Sequence, residues 1–237
     1  MYCFDSVVRY SEIDAYNHMT LSSILDLMQD CCTFHSEELG IGIDYLRRRR
    51  RAWVLSFWQI VINRLPGMGE QLKAYTWPYD FKGFLGYRNF KIEDGMGGTV
   101  VHANSIWAFL DTESGRPVKV PEEIRRRYVL EPCYEMTYAD RKIRRPKEME
   151  PKDPLLVGKF HIDTNRHVNN GKYIMMAEEY LPEGFRVGQL RAEYKKAAVL
   201  SDRICPKVKA EKQKMTVSLE NEAGEIYTLI EFMEEKE

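Results

Sequence analysis

Ile162-Asp163-Thr164-Asn165-Arg166-His167-Val168 echoes, at one constant offset, a stretch near the start of the chain, Ile13-Asp14-Ala15-Tyr16-Asn17-His18-Met19. An internal repeat of this kind says more about organisation than any local propensity. Each copy runs into apolar residues at helical spacing. In the first these are Leu21, Ile24, Leu25, Met28, Cys31/Cys32 and His35, and in the second Tyr173, Ile174, Ala177, Tyr180 and Leu181. Gly40 closes the first predicted helix, and Pro182 with Gly184 the second. Segments rich in Val, Ile, Trp, Tyr and Phe follow each helix and predict strands over 53–64, 71–78, 84–93 and 99–110. In the second half, strands are predicted over 187–196, 203–211, 214–220 and 226–233. Turn signals separate them, such as Asp94-Gly95-Met96-Gly97-Gly98 and Asn221-Glu222-Ala223-Gly224. A further strand is expected before each repeat, over 3–10 and 155–161. The pattern predicts two α+β units, each an antiparallel sheet curled around one helix.

Residues 132–154 lie between the halves and carry charges and prolines with little apolar periodicity, as in Arg141-Lys142-Ile143-Arg144-Arg145-Pro146-Lys147. They read as an interdomain linker, with one domain over 1–131 and the other over 155–237.

The chain of 237 residues is 44% hydrophobic and 30% charged, with a formal net charge of -1. That composition excludes a disordered chain, and the balanced charge gives no global drive toward nucleic acid or membrane. Five cysteines without a Cys-x-x-Cys pair favour a reducing compartment. No signal peptide or membrane-spanning run is read, and the expectation is a soluble cytoplasmic protein.

Asp163, Asn165 and His167 sit at alternate positions between a predicted strand and a helix that begins near Asn169. In an extended segment all three would project to one side, beside the positive end of a helix dipole. A carboxylate, an amide and an imidazole so grouped suit acyl transfer. They equally suit capping, because Asn and Asp before a helix are ordinary caps. Spacing leaves both readings open. His161, Asp163 and His167 give only a weak zinc pattern. No nucleophile elbow, phosphate loop or dinucleotide fingerprint is present, and no cofactor is implied.

The run Asp-x-Asn-x-His-Val-Asn-Asn over 163–170, followed by Tyr173-Ile174, resembles the active-site segment of bacterial-type acyl-acyl-carrier-protein thioesterases, which are double hot-dog enzymes. Ala52-Trp53-Val54-Leu55, Gly69-Glu70, Tyr75-Thr76-Trp77-Pro78, Ala103-Asn104-Ser105-Ile106-Trp107 and Val120-Pro121-Glu122-Glu123-Ile124 resemble the family's first domain. The resemblance implies tandem hot-dog domains that hydrolyse fatty acyl-acyl carrier protein to free fatty acid and carrier protein, ending chain elongation. An acyl-coenzyme A hydrolase, or a non-catalytic module that binds acyl chains or the carrier protein, are the alternatives. Carried over, Asp163 orients or activates the hydrolytic group while Asn165 and His167 position water and thioester; Asp163 as nucleophile or as general base is left open. The implied partners are acyl carrier protein and its fatty-acyl chain, the oligomeric state being monomer or homodimer.

The chain departs from the family at one place. A Glu, followed by Cys in plant members, is usual on the strand after the catalytic helix, and here Ala197-Ala198 stands there. A cysteine–histidine mechanism at that position is thereby excluded. Glu193 shares a face with Ala197 by strand alternation and is a weak substitute. The first repeat lacks the amide, with Tyr16 where Asn165 stands, so only the second is expected to be active. By the same resemblance the first domain houses the acyl chain, with Met19, Leu25, Met28, Trp53, Leu55 and Trp58 as candidate liners. The run Arg47–Arg51, the triplet Arg125–Arg127 and the linker supply basic patches that either steer an acidic carrier or form ordinary solvated surface.

Overall fold

The computed structural model describes residues 1–235. Its first strand, β1 (Tyr2–Val7), has alternating burial, as a strand covered on one face should. A single turn of 3-10 helix (Tyr10–Glu12) and the first repeat follow. Thr20 then accepts the N–H of Ser23 with its side chain and starts α1 (Leu21–Glu38). Ile24, Leu25, Met28 and Cys31 form its fully buried stripe, and Gly40 ends it in the left-handed region at φ 69°. A short α2 (Ile43–Arg48) leads into β2 (Arg51–Ile62), β3 (Gln71–Lys82), β4 (Leu85–Asp94) and β5 (Thr99–Asp111), and a single turn, α3 (Glu122–Arg125), follows. The sheet order is β1-β3-β4-β5-β2, with α1 packed on β1 and β3.

The second unit contains β6 (Glu150–Pro151), β7 (Leu155–Leu156), α4 (Asn170–Glu178), β8 (Val187–Tyr194), β9 (Arg203–Glu211), β10 (Lys214–Glu220) and β11 (Ile226–Glu234). Here β7 and β6 both pair with β9, and the order β9-β10-β11-β8 repeats β3-β4-β5-β2. Helix α4 packs on β10 and β11. Residues 57–61 of β2 pair with β8 and cluster with this unit. Each unit is therefore an antiparallel sheet about one principal helix, the tandem hot-dog arrangement that the resemblance implies.

The predicted strands of both sheets lie within a few residues of the observed ones, and the differences have local causes. The strand expected over 155–161 is only Leu155–Leu156. The Gly158 N–H donates to His161 Nδ1 and the chain closes into a 3-10 turn (Lys159–His161) instead. Strand β8 stops at Tyr194 because the Lys195 and Lys196 N–H groups both turn onto the Tyr227 carbonyl. Helices α2 and α3 lie outside the predicted elements. They are short and amphipathic, and each supplies one member (Leu46, Ile124) of a small apolar cluster with Ile41, Phe109 and Tyr128.

Residues 132–154, apart from the two residues of β6, are an irregular strap, and contacts divide it at 138/139. In the first unit, buried Asn89 accepts the Tyr134 N–H and the Tyr138 hydroxyl, both at 3.0 Å. In the second, buried Glu193 accepts the N–H of buried Ile143 at 3.0 Å, and Arg145 pairs with buried Glu220 at 2.8 Å.

The arginine run is mostly neutralised. Arg47 pairs with Asp44, Arg49 with Glu123, Arg50 with Glu113 and Arg51 with Asp111.

Candidate active site

The segment Asp163–His167 is a closed turn rather than an extended stretch. Asp163 N–H donates to the His167 carbonyl (2.8 Å), and Arg166 N–H donates back to the Asp163 carbonyl (3.0 Å). Ile162 and Val168 form a bridge across its base, and Arg166 takes φ 64° to close it. Asp163, Asn165 and His167 therefore do not lie along the one strand face that alternation predicts. The turn collects the groups by another route. Asp163 Oδ1 accepts the N–H of Asn165 (2.7 Å) and of His167 (3.3 Å), and the Asn165 side-chain amide lies 3.5 Å from Asp163 Oδ2. Short polar side chains favour such turns because they satisfy their own backbone.

The first repeat has the same bonds. Asp14 Oδ1 accepts the N–H of Tyr16 and His18, both at 2.9 Å; Asp14 N–H donates to the His18 carbonyl; Asn17 takes φ 67°; Ile13 bridges Met19. One oxygen of each aspartate is thus committed to building the turn. What distinguishes the second copy is Asn165, which places an amide against the other oxygen where the first copy has tyrosine.

The turn is anchored from below. Val168 N–H donates to the Ala198 carbonyl (2.9 Å), and Ala198 N–H donates to the Tyr173 hydroxyl (2.8 Å). Tyr173 is 2% exposed. Burial, with the negative charges of Asp202 and Asp163 nearby, pushes its phenol up to about 12, so it remains protonated. Asp202 in turn accepts the Tyr227 hydroxyl at 2.8 Å and the Val199 N–H. Apolar spacing alone puts Tyr173 on the helix's buried face and gives no signal at Asp202. The available signal was a tyrosine four residues past the cap, whose hydroxyl needs a partner once buried.

Asn169 caps α4, its side chain accepting the Gly171 N–H at 2.8 Å. One of the helix's unpaired amides is thereby satisfied, and the dipole still puts its positive end just after His167. His161 has its Nδ1 occupied by Gly158, and burial with Lys172 nearby holds its imidazole below the usual range, toward the neutral form. Among the described residues no group of three or more His, Cys, Asp or Glu is arranged to hold a metal ion.

Glu193 does not substitute for the absent carboxylate. It is occupied by Ile143 N–H and lies 3.6 Å from Lys195 Nζ, and the strand ends before Ala197, so alternation does not carry across. Ala197 is exposed, while Ala198 is buried and acts through its backbone. Of the candidate acyl-chain liners, Met19, Leu25, Met28, Leu55 and Trp58 are buried, and Trp53 is partly buried against the small apolar cluster.

Residues 3–128 match the model of the acyl-ACP thioesterase N-terminal domain, and residues 145–233 that of the C-terminal domain. The chain belongs to the acyl-ACP thioesterase family. Curated relatives include a chloroplastic acyl-[acyl-carrier-protein] hydrolase of Cuphea viscosissima, 26% identical over 74% of this chain and 45% of the relative. Another is the chloroplastic oleoyl-acyl carrier protein thioesterase 1 of Arabidopsis thaliana, 26% identical over 75% of this chain and 54% of the relative. The chain thus spans about half the length of the curated relatives it matches. Among solved structures, an acyl-ACP thioesterase from Bacteroides thetaiotaomicron superposes with TM-score 0.89 at 20% identity, covering 98% of this chain and 97% of that one. The 12:0-ACP thioesterase from Umbellularia californica gives 0.84 at 16% identity, covering 100% and 97%. These likenesses establish the acyl-ACP thioesterase fold along the whole chain.

Proposed function

We propose that this chain hydrolyses fatty acyl-acyl carrier protein thioesters, with Asp163, Asn165 and His167 as the catalytic group. The observation that carries the reading is the match of both halves to the thioesterase family models, with the family's Asp-x-Asn-x-His lying in the second repeat. In the reaction, water adds to the thioester carbonyl, the carbon–sulfur bond breaks, and the released thiolate takes up a proton. Asp163 Oδ2, held by the Asn165 amide and not used by the backbone, is the oxygen free to orient or deprotonate the water. Imidazole is the side chain suited to moving the proton near neutral pH, and the helix N-terminus beyond His167 favours the developing oxyanion.

The repeat supplies its own control. Asp163→Asn keeps an oxygen for the two N–H bonds that build the turn but removes the charge. Its turnover on acyl carrier protein thioesters is expected to fall by about 100-fold or more, while Asp14→Asn leaves turnover within about twofold. Thiol release from carrier-protein and coenzyme A thioesters of several chain lengths measures both. Equal loss in the two variants would make the aspartates purely structural. Stoichiometric binding without thiol release by the unmodified chain would favour a binding module, the reading to which Ala197 lends weight.

A further inference from the structure

One row of side chains crosses the second unit's sheet on a single face: Gln59, Arg191, Glu231, Thr216 and Lys209 are successive cross-strand partners. The flanking positions Leu190, Ala192, Ile230 and Phe232 are apolar and buried and form the opposite face, against α4. The polar face is the one the strap runs over, and between them lies a cavity of about 450 Å3. Seven cationic and three acidic side chains line it. The acids are largely neutralised internally, because Glu231 pairs with Arg191 and Lys214, and Glu211 with Lys214. Four of the cations, Lys142, Arg144, Lys147 and Lys209, have no ion pair among the described residues. The cavity therefore carries surplus positive charge, unlike the arginine run, where acids are interleaved.

A second observation points the same way. Arg191 donates Nη1 to Glu231 (2.8 Å) and Nη2 to the carbonyls of Asp140 (2.5 Å) and Lys142 (3.3 Å), which fixes its plane. Its Nε is buried with no hydrogen-bond partner, and so is Thr216 Oγ1, two strands along the same row. Buried polar groups are ordinarily satisfied, and of these two orphans the Arg191 Nε belongs to a residue that lines the cavity. The cavity's size suits a small molecule rather than a bare ion. No aromatic side chain lines it, so recognition would rest on charge rather than on stacking.

We propose that this cavity binds a small molecule bearing two or more phosphate groups, at a site separate from the Asp163 turn. The proposal does not depend on the hydrolase reading. Calorimetric titration of the full chain at low ionic strength with inorganic pyrophosphate and, in a separate arm, ATP tests it and distinguishes an inorganic from a nucleotide source. Saturable binding is expected, weakened at least tenfold in R144A/K147A, whose two side chains are exposed, and unchanged in R125A/R126A. Absence of saturable heat with both probes, or equal weakening in the two double variants, would overturn it. Binding of carrier protein lacking its prosthetic group that requires Arg144 and Lys147, with no response to pyrophosphate or ATP, would also overturn it and assign the cavity to protein docking.

Discussion

Tyr173 joins structure to chemistry in the second unit. Its hydroxyl is the acceptor for the N–H of fully buried Ala198, whose carbonyl holds Val168 beside His167. Tyr173→Phe preserves the ring and leaves that N–H unsatisfied, which costs about 1–3 kcal/mol. A lower chemical-unfolding midpoint is therefore expected, together with a reduced kcat at nearly constant KM, because the turn loses its anchor while the binding surface is untouched. Unchanged stability would mean that Ala198 N–H has another acceptor. Spacing and resemblance single out Asp163, Asn165 and His167 as candidates, but carry no trace of the geometry that collects them. Asp163 bonds backbone groups two and four residues onward, and Arg166 adopts a left-handed conformation that arginine seldom takes. Neither leaves a periodic trace, so alternation suggested a strand.

At the scale of elements, the long strands and α1 were readable because burial imposes periods of 2 and 3.6 residues on the sequence. The strap over 132–154 was not, because polar bonds to residues distant in the chain hold it. Glu220 shows how. Its buried carboxylate accepts from Arg145, Lys207 and Ser218, all within 2.8 Å. Burial opposes its ionisation, but those donors outweigh burial and hold it below the usual glutamate range. A depressed carboxylate contributes stability that is present above the unfolded pKa and lost as pH falls through the folded one. Glu220→Gln removes the charge from beneath two cations, each about a third exposed, and is expected to cost about 1–3 kcal/mol at neutral pH. The strap near Arg145 should also become more susceptible to proteolysis. A variant as stable and as protease-resistant as the parent would show that Ile143 and Glu193 suffice to anchor it.

For the molecule as a whole, acid sensitivity should begin well above the carboxylate range, and the cause lies in the first unit. Inside its fold His35 is 8% exposed, stacks on Tyr2 and meets Arg88 at 3.1 Å from its Nδ1. Burial, the Arg88 guanidinium and the chain's N-terminal amine together lower its imidazole to about 3. His102, half-buried, is lowered in the same direction by its burial. A lowered histidine binds its proton more readily when unfolded. Its contribution is therefore complete above about 6.5, the ordinary histidine value, and erodes progressively as pH falls from there toward the folded value. The depressed carboxylates Glu70, Glu93 and Glu220 add their losses only below the ordinary glutamate range. Denaturant midpoints measured from pH 7.5 to pH 5 should thus decline before these depressed carboxylates titrate. In His35→Asn the decline should be shallower, even though its neutral-pH stability is lower from lost packing. A flat profile in the parent over that window, or identical slopes in the two proteins, would show that His35 is free to take up a proton within the fold.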